Sequence, residues 1–368
     1  MNDTPESSSN DLPTDSSTPE TASPQPSDNL QPEIFVADNT FPEVQPPNSK
    51  FLIQLFVVPG LIVMGALLLV MIPKWLNNAT DGNPEDYLEE LEHTNHATWQ
   101  AAWNLAETMR YDKNIKIKSD PVFADKLIGL LRRQLDDKNQ ITDDKAVRLR
   151  CFLCRSIGTL HIDNGLPILI EAAGPERDFK ELEMRLFALE SLAELINTLG
   201  PDTLHDNEEL YKVLHQASLE RSEISDEKKL RDQLRVRAAY TLGVLGGEQG
   251  LNQLEGMTSD SFSDVRYNAA NGLARHGDER AIPVLLEMLE PKIVQGTENN
   301  SVDYQRMHSG MVISNALRAI SLFKHENPTA DLSEISAAIE ILLKQNVNAD
   351  VLETAREVEK TLAAKPVE

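Results

Sequence analysis

Residues 264–290 read DVRYNAANGLARHGDERAIPVLLEMLE. Two apolar stripes lie in this stretch, one on each side of Gly277-Asp278. The first runs Val265, Ala269, Ala270, Leu273 and His276; the second runs Ala281, Ile282, Val284, Leu285, Met288 and Leu289. Steps of three and four residues place each stripe on one face of a helix. Gly277 is a stop signal for the first helix. Pro283 falls in the first turn of the second, where its missing N–H costs little. The stretch therefore predicts a hairpin of two helices whose greasy faces need neighbours to cover them.

The first-helix stripe recurs along the chain. It is met at Leu149, Leu153, Cys154, Ile157 and Leu160, at Met184, Ala188, Leu189, Leu192 and Leu195, and at Leu234, Ala238, Ala239, Leu242 and Leu245. Ile157, Leu192, Leu242 and Leu273 are equivalent positions of four copies. An arginine follows the first stripe residue in each: Arg150, Arg185, Arg235 and Arg266. A looser copy starts at Ala97, with Thr98 in place of the arginine, and another carries Ile313, Leu317 and Ile320. The second position recurs at intervals of 52, 35, 50, 31 and 44 residues, so a unit of about 31 is interrupted by longer loop segments. Ser222–Gln233 and Pro291–Arg306 are two such segments, both largely polar.

These residues resemble the HEAT-like repeats named after the phycobilisome lyases. The match to VRxxAAxALGxLGD followed by AIPxLLxLL is close at 265–289 and good at 234–245 and 149–172. The resemblance implies an all-α fold: an α-solenoid of stacked hairpins, each touching only its neighbours. It conveys architecture rather than activity, because such repeats occur in lyase subunits, scaffolds and regulators alike. The solenoid is expected over 93–345. A capping helix and tail follow over 346–368, with Asp350 and Glu353 as a capping-box-like pair and Val351, Ala355, Val358 and Leu362 facing inward. The recurrent arginines are expected to form a structural ladder, each meeting a carboxylate or carbonyl of an adjacent unit.

Ahead of the repeats the chain changes character twice. Residues 1–49 hold nine Pro, nine Asp or Glu and no Lys or Arg, too little apolar surface to offset the entropy of ordering. This acidic tail is expected to be disordered. Residues 51–72, FLIQLFVVPGLIVMGALLLVMI, contain one polar side chain, Gln54, and no charge. As a helix they would reach about 33 Å, close to the ~30 Å hydrocarbon core of a bilayer. The run begins too late and runs too long for a cleavable signal. A transmembrane helix is therefore expected over 51–73, with Phe51, Ile72 and Trp75 marking its ends, and a linker over 74–92. Lys50 and Lys74 flank the span evenly, so the positive-inside rule does not orient it. A tail without other basic residues is easily exported, which slightly favours a cytoplasmic body; the opposite arrangement, usual for an N-terminal signal-anchor, requires export of all the repeats.

Residues 75–368 carry 33 basic and 50 acidic side chains, a net charge of −17. A nucleic-acid binder needs a basic face to displace counterions from phosphate, and no stretch offers one. The pattern carries no catalytic, cofactor or metal set. Cys151 and Cys154 form a CxxC, but both fall inside a helix pattern and no second pair exists to complete a zinc site. His93 and His96 flank Thr94-Asn95, a turn-like pair that need not bring the rings together. No phosphate loop, nucleophile elbow or HExxH is found. The expectation is a single-pass membrane protein that presents its repeats to protein partners without catalysing a reaction. The other reading is an enzyme or enzyme subunit of the bilin-lyase-like HEAT type.

Overall fold

The computed structural model describes residues 82–92, 98–290 and 300–364, with Met64 as an isolated position. The chain divides into two units, 1–73 and 74–368. Apart from Met64, the first unit lies outside the described residues. The tail over 1–49, the expected span over 51–73 with Phe51 and Ile72, and Trp75, His93 and His96 therefore lie outside them as well. Among the described residues no helix is long and apolar enough to cross a membrane.

Within the second unit every regular element described is helical. The main helices are α1 (Pro84–Glu92), α2 (Thr98–Met109), α3 (Pro121–Asp136), α4 (Asp144–Gly158), α5 (Leu166–Ala173), α6 (Leu182–Leu199) and α7 (Glu208–Leu219). They continue as α8 (Ser225–Leu245), α9 (Gly247–Met257), α10 (Ser263–Arg275), α11 (Ile282–Leu289), α12 (Val302–Glu326), α13 (Ser333–Leu342) and α14 (Ala349–Ala363). Their starts are written in the sequence. Asp143 accepts hydrogen bonds from the N–H groups of Lys145 and Ala146, and Asn207 accepts one from Leu210. Each satisfies donors that the first turn of a helix leaves free.

The helices form two layers. The even-numbered helices stack side by side from α2 to α14, and the odd-numbered helices pack beside them, with α1 against α3, α3 against α5, α5 against α7 and α7 against α9. This nearest-neighbour order is that of a helical solenoid. The apolar stripes fill the space between layers: Ile157, Leu192, Leu242 and Leu273 are all fully buried. Where α8 crosses α10 the backbones nearly touch. A Cβ on Gly243 would lie 2.7 Å from the Cα of Gly272, so both positions require glycine.

Four expectations are corrected. The linker over 74–92 ends in a helix, α1, whose Leu88 and Leu91 are buried in the core. With Pro84 and the half-buried Tyr87 they form a short face in an acidic run, covered by α2 and α3. The polar segment Ser222–Gln233 is mostly the first half of α8, and Val302–Arg306 opens α12; these are helix extensions rather than loops. The capping box at Asp350 is not formed, because α14 starts at Ala349 and its N-cap, Asn348, makes no side-chain capping bond. Finally, His276 lies beyond the end of α10 and is exposed; its Nε2 is 3.0 Å from the carbonyl oxygen of Gly243 in the preceding unit.

Candidate functional site

The recurrent arginines line the edge where each odd-numbered helix hands over to the next even-numbered one. Arg150, Arg185 and Arg235 are almost completely buried, against the usual preference of so polar a side chain. Burial is tolerable only if the guanidinium is paired and its donors are used. Arg150 donates to the carbonyls of Gln140 (3.3 Å) and Ile141 (2.8 Å) and lies 3.5 Å from Glu181 at the head of α6. Its burial pulls the guanidinium below its ordinary pKa, with Glu181 opposing. Arg150 and Arg235 sit well inside their helices, since α4 and α8 begin at Asp144 and Ser225.

Arg185 donates to the carbonyl of Ala173 (3.2 Å), to Glu176, and to Glu220 (2.5 Å). Arg231 binds the same two carboxylates, closing a ring of two arginines and two glutamates. Arg231 belongs to the extension of α8, so that extra turn ties α8 to the loops after α5 and α7. Arg235 grips Asp260 with both sides of its fork, at 3.0 and 3.1 Å, and donates to the carbonyl of Glu220 at 3.0 Å. Arg266 pairs with Glu287 of α11 at 2.6 Å and donates to the carbonyl of Asp260 at 2.8 Å.

Because Arg266 and Glu287 retain 20% and 28% of their side-chain exposure, their pair is worth less than the buried ones. Arg266→Ala should lower stability by about 1 kcal/mol, read as a small drop in thermal midpoint.

The ladder also sets an acid limit. Burial of Asp260 opposes its charge, yet hydrogen bonds from Arg235 and the Phe262 N–H, with Arg221 nearby, hold its carboxyl below the ordinary value. Glu176 is likewise opposed by burial and lowered by a backbone hydrogen bond and by Arg231 and Arg185. A carboxyl depressed on folding contributes stability above its unfolded pKa of about 4 and loses it as pH falls through the folded value. Thermal midpoints should therefore be flat from pH 7 to about 5 and fall steeply below about 4.

Cys151 and Cys154 are buried in α4 as free thiols. Burial pushes Cys154 up to about 12 and raises Cys151 as well. Such thiols are inert in the folded chain. Ellman's reagent should label neither until denaturant is added; fast labelling of the native chain would contradict this. Among the described residues no group of three or more His, Cys, Asp or Glu is placed to hold a metal.

Beside the ladder, α7 and α9 leave an open groove of about 810 Å3. Tyr211, His215 and Leu219 line it from α7, and Gln249, Gln253 and Met257 from α9. Arg221 and Asp260, bonded at 2.6 Å, stand at one end. The sequence reading did not single out these residues. A signal was available: Gln253 occupies the place in its unit that Val284 and Ile168 hold in theirs.

A family model described as HEAT repeats matches residues 227–296, the segment from the first turn of α8 through α11. No curated protein matches the chain. Among solved structures, the complex of CpcE and CpcF of phycocyanin lyase from Nostoc sp. PCC7120 is similar with a TM-score of 0.43 at 19% identity, over 76% of this chain and 94% of that one. An engineered protein gives 0.35 at 15% identity, covering 76% and 96%, and human deoxyhypusine hydroxylase in complex with glycerol gives 0.27 at 14%, covering 78% and 98%. These likenesses carry no functional argument. The class defined is an all-helical repeat protein whose central segment matches HEAT repeats.

Proposed function

We propose that this chain is a membrane-anchored platform that holds protein partners and performs no chemistry itself. The observation that carries the reading is the division of labour along the stack. The buried charges are spent on joining units to one another, whereas the α7–α9 groove stays open to solvent. A two-layer array presents a long surface for partners. The charge-free run over 51–73 would confine that surface to a bilayer and raise the local concentration of whatever it binds. The repeats are placed on the cytoplasmic side.

Three measurements test this. The full chain should stay with the membrane pellet after alkaline carbonate washing, and release would remove the anchor from the proposal. Protease added to intact cells should spare the repeats if they face the cytoplasm. Affinity capture from detergent-solubilised membranes should recover a stoichiometric protein partner. A chromophore recovered in its place would favour the bilin-lyase-like reading.

A further inference from the structure

We infer that the groove between α7 and α9 is a docking site for an extended, basic polypeptide segment. The inference rests on the platform reading and names where one partner would bind.

The groove exists because one unit departs from its own repeat. In α11 the inward residues include Val284, and Glu287 projects to pair with Arg266. The equivalent positions of α9, 31 residues earlier, are Gln253 and Gly256. The first change puts a carboxamide where the pattern calls for an aliphatic side chain. Its Oε1 is buried and has no hydrogen-bond partner, a costly state for a polar atom. The second change deletes a side chain: a Cβ on Gly256 would meet nothing within 4 Å. Together they polarise the groove and open it. The fold makes up for the missing carboxylate, since Asp260 pairs with Arg235. It leaves the Gln253 Oε1 without a partner and the space at Gly256 open, and those two point to a ligand outside it.

The chemistry of the walls selects the ligand. A carboxamide offers both a donor and an acceptor, the complement of a peptide unit. Gln249, Asn252 and Gln253 set such groups on one wall of the groove. The Oδ1 of Asn252 is taken by Arg280 at 2.9 Å, so its N–H groups are what it can offer a ligand. Tyr211 and Met257 provide apolar floor, and Leu219, 61% exposed, an apolar lip. From Tyr211 to Leu219 the groove follows about 12 Å of helix, room for roughly four residues of extended chain.

Charge decides the rest. The one arginine at the groove, Arg221, shares the buried Asp260 with Arg235, and Glu248 is exposed at the other end. Glu208 and Glu209 open α7, and the chain as a whole carries −24. A segment containing Lys or Arg is attracted to this field and an acidic one is repelled.

The test uses the full chain in detergent, with a phage-displayed library of linear dodecapeptides as the probe. Panning should enrich peptides containing Lys or Arg, whose affinity falls as salt is raised. Gln253→Val, which restores the residue of the other units, should leave the thermal midpoint unchanged or higher and weaken the enriched peptides by about tenfold. Gly256→Trp, which fills the groove, should abolish binding. No enrichment, enrichment of acidic peptides, or equal binding to both variants would overturn the proposal. If a stoichiometric partner is still captured equally by wild type and Gly256→Trp, the groove is excluded while the platform reading stands. If no partner is captured by either, the platform reading is what fails.

Discussion

Replacing Arg235 with alanine should destabilise the folded chain by about 3 kcal/mol, the lower end of the range for breaking a buried ion pair. The side chain is 1% exposed and its partner Asp260 2%, so water cannot take over the lost bonds. The substitution would leave Asp260 with Arg221 and the Phe262 N–H, and would leave the Glu220 carbonyl with Arg221 as its one guanidinium donor. Asp232, 2.9 Å from Arg235, would keep Lys228. Those remaining partners are why the expected loss lies at the lower end. Circular dichroism at 222 nm during heating should show the change as a lowered midpoint. A second variant separates charge from packing: Arg235→Met with Asp260→Asn removes both charges and keeps most of the volume. It should cost less than the sum of the single changes, because neither leaves the other stranded. A loss within about 0.5 kcal/mol for Arg235→Ala would mean the bidentate pair does not join these units.

The comparison with Arg266 shows where pattern reading reaches its limit. Both arginines hold the same place in the repeat, and the sequence gives no hint that one is sealed and the other half open. That difference comes from the partner. Asp260 lies in the loop that the next helix covers, whereas Glu287 projects from the surface of α11. Apart from His276, the stripes themselves were legible, since a period of three and four residues repeated with the same small and large side chains admits one burial pattern. Ile157, Leu192, Leu242 and Leu273 are accordingly at the centre of the core. What escaped was whatever lacks a period. α1 buries only Pro84, Leu88 and Leu91 from an acidic run, and the first eight residues of α8 carry a single apolar side chain, Leu230. Its helix is held instead by Arg231 reaching Glu176 and Glu220, a contact between residues 55 and 11 positions apart. Gln253 and Gly256 escaped for the opposite reason: they are exceptions to the repeat, and an exception acquires meaning only when the space around it is known.

Gly243→Val should split the stack. In the middle of a helix glycine is a poor choice, costing about 1 kcal/mol against alanine, so its presence in α8 needs a cause. The cause is the crossing with α10, where a Cβ on Gly243 would be 2.7 Å from the Cα of Gly272, and the reciprocal Cβ 2.8 Å from Gly243. Neither contact can relax by rotating a side chain, because the obstacle is backbone. A valine would force the two helices apart and open the packing of Ala238 and Leu242 against Ala269 and Leu273. The expected cost is about 3 kcal/mol or more, at the upper end for overpacking. Gly129 is the matched control. Nothing lies within 4 Å of a Cβ placed there, so Gly129→Ala should stabilise by about 0.5 kcal/mol through helix propensity alone. The manner of the failure is the sharper test. Units of a solenoid are held by nearest-neighbour contacts, so damage at one interface leaves the others intact and lets the two sides melt separately. Heating Gly243→Val should give two transitions where the parent gives one, and limited proteolysis should digest the region from α10 onward while sparing α2 to α6. A single transition at an unshifted temperature would show that the close approach of Gly243 and Gly272 does not hold the two halves together.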